Sequence, residues 1–158
     1  MSTAHRPPRP PGQPAQWFVF GGWVFDITAA KKIICAAPRE TVSLPVAPWA
    51  RAYGLDRDPS SHTGTVPLLG PGTGFDRGYA MTTDLAQPVL IATLPATGGP
   101  PCPLLIDGTH RLYKAIVHGC THLPSWVFTE AETLAIRHRP RLGAAPAARR
   151  RAPGPGNR

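Results

Sequence analysis

Asp107, Gly108, Thr109, His110 and Arg111 set a carboxylate, a glycine, a hydroxyl, an imidazole and a guanidinium side by side. That succession suits the binding of an anion. Leu104, Leu105 and Ile106 before it form a short apolar run that reads as a buried strand, and Leu112, Ala115 and Ile116 after it recur at helical spacing. The turn between them is a strand-to-helix junction, where unpaired backbone N–H groups and the positive end of the helix dipole face outward together. Phosphate is the anion such a junction holds best. Cations in the first turn of a helix oppose the dipole by a few tenths of a kcal/mol or more. Placing both His110 and Arg111 there therefore makes sense when an anion sits among them, and Gly108 lets a ligand come close to the backbone. The competing reading is structural, since Asp-Gly is a frequent turn pair and His and Arg can simply decorate an exposed helix start.

Other reactive side chains form weaker patterns. His118, Cys120 and His122, with Cys102 as a fourth donor, invite a metal reading. Their spacing departs from paired zinc ligands and Gly119 interrupts the element, so no metal is expected. Gly70-Pro71-Gly72-Thr73-Gly74 follows Val66–Leu69 in the manner of a phosphate loop. Pro71 removes a donor there and the Lys-Ser/Thr pair is missing, which leaves a surface loop or a lid over Arg111. Ser60-Ser61-His62 has no third partner for a nucleophile. Trp17, Phe18, Phe20, Trp23 and Phe25 could stack bases, although their density favours core packing.

The elements that must position the turn are legible on both sides of it. Trp17–Phe25 is aromatic and β-branched around Gly21-Gly22 and reads as one bent strand or a tight hairpin. Asp26 caps a helix with apolar positions Ile27, Ala30, Ile33 and Ile34, ending before Pro38, with Lys31 and Lys32 on its wet face. Val42–Val46 reads as a short strand, Trp49–Tyr53 as a helical turn, and Tyr79–Gln87 as a short helix. Val89–Leu94 forms a hairpin with the strand ending at Asp107, through Gly98-Gly99-Pro100-Pro101. A helix then runs from Thr109 to Gly119 and a strand from Leu123 to Phe128. Thr129 with Glu132 makes a capping box for a last helix to about Arg137. The fold class expected is α+β, a small mixed sheet with helices.

Charge divides the chain. The formal net charge is +8, yet all nine acidic residues lie between Asp26 and Glu132, so the segment from Trp17 to Ile136 carries close to −1. The basicity sits in residues 1–16, rich in Pro and Arg, and in residues 138–158, rich in Arg, Pro and Ala. Both are expected to be disordered arms flanking one domain over residues 17–137, which includes a long loop at 54–78. Basic arms of this kind can hold DNA without reading its sequence. No apolar stretch approaches a membrane span and the first residues lack the apolar core of a secretion signal, so a cytoplasmic protein without membrane contact is expected. Cys35, Cys102 and Cys120 are an odd set at unrelated spacings, which suits free thiols.

Leu105-Ile106-Asp107-Gly108-Thr109-His110-Arg111-Leu112-Tyr113-Lys114-Ala115, with Gly119, Leu123-Pro124 and the strand to Phe128, resembles the signature of the ParB N-terminal-like and sulfiredoxin-like superfamily. The match spans about residues 88–137. The resemblance implies a turn that holds nucleotide phosphates, with Gly108 offering its backbone, His110 and Arg111 touching phosphate oxygens, and Asp107 orienting Arg111. It further implies ATP or CTP with magnesium, or another phosphorylated small molecule, as ligand. Sulfiredoxins carry a cysteine where Thr109 stands, and a hydroxyl cannot do that thiolate chemistry. The chain also has no counterpart to the second arginine motif of the partition proteins and no room for their DNA-binding domains. Whether the domain only binds, or also transfers or hydrolyses a phosphoryl group, stays open at this point. So do two rival readings, a DNA-associated accessory protein acting through its basic arms and a non-catalytic interaction module.

Overall fold

The computed structural model describes residues 16–56 and 75–138. The expectations for the two arms, for Ser60–His62 and Gly70–Gly74, and for most of the 54–78 loop lie outside the described residues.

The chain opens as a hairpin, β1 (Trp17–Phe20) and β2 (Trp23–Asp26), joined antiparallel through Gly21 at φ 54°. Asp26 ends β2 and at once caps α1 (Ile27–Ala36), its carboxylate accepting the Ala29 N–H at 2.9 Å. Ile27, Ala30 and Ile34 are the buried positions of α1, as the spacing predicts. β3 (Val42–Pro45) leads directly into α2 (Val46–Ala52), and α3 spans Arg77–Thr82. α3 therefore begins two residues before the expected Tyr79 and stops well short of Gln87. The Asp76 carboxylate takes the Tyr79 N–H and starts the helix early, and the Thr82 and Thr83 hydroxyls bond back to the Tyr79 and Ala80 carbonyls at its end.

The second half follows the expected order. β4 (Val89–Leu94) and β5 (Cys102–Asp107) pair antiparallel, α4 (Thr109–Val117) follows, β6 (His122–Val127) comes next and α5 (Glu130–Ile136) closes. The four-stranded sheet has the order β3-β6-β4-β5, with β6 parallel to β4 and the other pairs antiparallel, so the α+β class and the mixed sheet are both observed. Val89, Leu90, Ile91 and Ala92 are buried at consecutive positions, which means both faces of the central strand are covered. α2 and α3 pack on α4, while α5 packs on β4 and α1.

The Gln16 carbonyl accepts the Ile27 N–H at 2.9 Å and the His138 N–H donates to the Val24 carbonyl at 2.7 Å, so both residues, expected in the arms, are tied to the domain by backbone hydrogen bonds. The 54–78 loop is also shorter at its far end, where Arg77 and Gly78 belong to α3. No helix among the described residues is long and apolar enough to cross a membrane.

Candidate functional site

The Asp107–Arg111 turn lies where β5 ends beside the start of β4, and Gly108 shapes it. Its φ of 110° is open to glycine, and a Cβ there would stand 2.5 Å from Val89 Cγ1 and 2.8 Å from Val89 Cβ. The chain thus passes tight against β4 and enters α4 at once. The Leu112 N–H already bonds to the Gly108 carbonyl at 2.9 Å, and no side chain caps the helix. The N–H groups of Thr109, His110 and Arg111 form the uncapped first turn.

Arg111 turns inward. Its Nη1 donates to the Pro88 carbonyl at 3.0 Å and the Gln87 carbonyl at 3.3 Å, and its Nη2 lies 3.2 Å from Asp107 Oδ2. Both side chains of that pair are about five-sixths buried, at 15% and 16% exposure. Asp107 thereby orients Arg111, and the guanidinium braces the turn against the lead-in to β4. Asp84 supports the same lead-in by accepting the Ala86 N–H at 2.9 Å and a Gln87 amide N–H at 3.4 Å.

The same Asp107 oxygen is 3.1 Å from Lys31 Nζ. Lys31, its side chain 40% exposed on the wet side of α1 as expected, also reaches the turn. A signal for this existed, because Lys31 is four residues after Ile27 and three before Ile34, at the margin of the buried stripe. Lys114 Nζ donates to the Thr83 carbonyl at 2.6 Å and ties α4 to the end of α3.

His110 sits among rings. It stacks on Phe75 with centroids 4.5 Å apart and planes 7° from parallel, and it meets Tyr79 edge-on at 5.0 Å. Phe75 also touches Tyr113 edge-on, and Arg77 lies 5.8 Å over the Tyr113 ring. Burial pushes the His110 pKa below its usual 6.5, with Asp76 and Asp107 partly offsetting the shift. His110 is therefore neutral near pH 7 and offers an N–H donor and a lone pair in place of a charge. The positive charge at the turn comes from Lys31 and Arg111. Nothing in the sequence pattern pointed to Phe75 and Tyr79 as companions of His110, because they come from outside the motif and meet it only through the packing of α3 on α4.

Other sequence candidates land elsewhere. Among the described residues no three His, Cys, Asp or Glu side chains gather as metal ligands. His118, His122 and Cys102 are exposed, and His122 contacts the Thr121 hydroxyl at 3.1 Å. Cys35, Cys102 and Cys120 are free thiols. Of the hairpin aromatics, Phe25 is fully buried and Phe18, Phe20 and Trp23 pack against the core, while Trp17 is exposed. No protein-family model, curated protein or solved structure matches the chain.

Proposed function

We propose that the chain is a ParB/sulfiredoxin-like domain that binds a nucleotide or another phosphorylated ligand at Asp107–Arg111. The observation that carries this reading is the left-handed Gly108 at the uncapped start of α4. It leaves backbone N–H groups at the positive end of a helix dipole with no side chain competing for them. The Thr109 hydroxyl stands at the first helical position and makes no side-chain hydrogen bond among the described residues, so it can donate to a phosphate oxygen. Lys31 and Arg111 flank Asp107 and supply the charge, and Arg111 in addition holds the turn in shape.

ATP or CTP is the ligand the motif suggests, with magnesium arriving on the phosphates. Asp107 is already shared by two cations, which makes it a positioning group for the turn. If the domain also transfers or hydrolyses a phosphoryl group, His110 is the turn residue fitted to take a proton, being neutral at physiological pH.

Titration calorimetry with ATP, ADP, CTP and GTP, with and without magnesium, tests the reading. At least one should bind, and Thr109→Val and Lys31→Ala should each weaken it about tenfold, the loss expected for one hydrogen bond involving a charged group. Silence from all four nucleotides at millimolar concentration overturns it.

A further inference from the structure

The packing of α3 on α4 brings a ring to the start of α4 that the phosphate contacts of the turn leave without a task. His110 stacks on Phe75 at 4.5 Å and meets Tyr79 at 5.0 Å with the ring planes 83° apart. Phe75 and His110 are half-buried, whereas Tyr79 is 57% exposed. A perpendicular ring contact covers at most one face of the Tyr79 ring. The other face is therefore open to solvent beside the uncapped first turn of α4. Single exposed apolar side chains are common, and Trp17, the other exposed large aromatic among the described residues, has His138 as its ring partner. Tyr79 differs in touching a residue of the turn itself.

The Tyr79 ring is also held in place. Its N–H donates to the Asp76 carboxylate at 2.8 Å, which fixes the backbone at the start of α3, and Lys114 Nζ on the Thr83 carbonyl ties the end of α3 to α4. α3 itself buries Ala80 alone, so the exposed Tyr79 ring contributes little to the core. The His110 N–H is one of the donors of the first turn, and the His110 ring reaches Tyr79. One side chain therefore separates the place of a bound phosphate from an open aromatic face. In a nucleotide one sugar separates the phosphates from the base, a spacer of similar reach, and a base stacks on an exposed ring of this kind.

We propose that Tyr79 is the base subsite of the Asp107–Arg111 turn, so that the ligand class is a nucleoside phosphate with its phosphates on the first turn of α4 and its base stacked on Tyr79. The inference rests on the phosphate reading of the turn and narrows it. Sugar phosphates and inorganic polyphosphates have no flat ring to offer and are left with the phosphate contacts alone. Every base has a π-face, so Tyr79 selects for the presence of a base and not among bases.

Calorimetric titration of the full chain with ATP, CTP and inorganic tripolyphosphate, each with magnesium, tests the proposal. A nucleotide should bind about tenfold more tightly than tripolyphosphate, the gain of one stacked base. Tyr79→Ala should remove that margin and leave tripolyphosphate binding unchanged, while Tyr79→Phe, which keeps the ring, should bind the nucleotide as the wild type does. Equal affinity of the wild type for nucleotide and tripolyphosphate overturns the base subsite and leaves the phosphate reading of the turn standing. An undiminished nucleotide affinity in Tyr79→Ala overturns it in the same way, and so does an equal loss for both ligands, because Tyr79 then acts only by holding α3 in place. Silence from all three ligands overturns the phosphate reading and the subsite together.

Discussion

At Gly108 a single hydrogen atom allows β5 to pass into α4. Gly108→Ala would combine a left-handed backbone with a methyl group 2.5 Å from Val89 Cγ1, so either the turn or β4 has to move. The variant should lose at least ~2 kcal/mol of stability, from backbone strain together with overpacking. Urea unfolding measures this, and an unchanged midpoint would contradict the tight passage. His110 gives the turn a pH signature. Its folded pKa lies below the unfolded value of 6.5, so the unfolded chain binds more protons as the pH drops. Its contribution to stability is complete above that pH and is lost as the pH falls below it. His110→Phe retains a ring against Phe75 and removes the titration, so its urea midpoint should change less than that of the wild type between about pH 7.5 and about pH 5.5.

Among the elements, α5 shows how two local signals and one distant one converge. Thr129 and Glu132 form the complete capping box, with the Thr129 hydroxyl taking the Glu132 N–H at 3.2 Å and the Glu132 carboxylate taking the Thr129 N–H at 2.9 Å. The same carboxylate receives both terminal nitrogens of Arg39, from the segment between α1 and β3. The Arg39 hydrogen bond, with the Thr129 backbone assisting, holds the Glu132 carboxyl down to about 2, well under its usual 4.5. Its stabilisation is therefore present above about pH 4.5 and is lost as the pH falls towards 2. Glu132→Gln keeps a side chain able to complete the box but removes the charge. It should lose ~1–2 kcal/mol at neutral pH, the pair being partly screened by solvent, and its acid unfolding should be flatter. An acid limb that coincides with that of the wild type would contradict the pairing. The β5 edge is held in a comparable way. The Tyr53 hydroxyl accepts the Leu105 N–H at 2.8 Å and donates to the Leu105 carbonyl at 3.1 Å, so Tyr53→Phe should leave both groups unpaired and lose ~2 kcal/mol in the same urea assay.

Across the molecule, Asp107 is where α1, the end of the sheet and α4 are joined, through Lys31 on one side and Arg111 on the other. Arg111→Ala therefore acts on the fold itself, because the side chain satisfies two backbone carbonyls and a carboxylate. Asp107→Asn separates the two roles. Loss of the carboxylate leaves two cations facing each other and lowers stability by ~1–3 kcal/mol. If phosphate binds at the turn, the same loss frees Lys31 and Arg111 for it and raises affinity for the nucleotide. Urea unfolding and calorimetry should thus move in opposite directions, and a parallel fall in both would place the Asp107 cluster outside the binding site.

Wherever an element depends on neighbours in the chain, its residues announce it. The Asp26 cap, the apolar stripe of Ile27, Ala30 and Ile34, the Thr129–Glu132 box and the Asp-Gly passage into α4 are read within a few positions, because capping and helical periodicity are local physics. For α3 the helix expected over Tyr79–Gln87 is present but its bounds move to Arg77–Thr82, since its start rests on one Asp76 carboxylate and its apolar pattern is short. The site divides along the same line. Its residue types and its uncapped helix are local, and they were visible. The inward turn of Arg111, the arrival of Lys31 from α1 and the stacking of Phe75 and Tyr79 on His110 join residues far apart in the chain. Only the packing of the helices against the sheet and one another decides those contacts, since no spacing pattern encodes which distant side chain will fill the room left beside a turn.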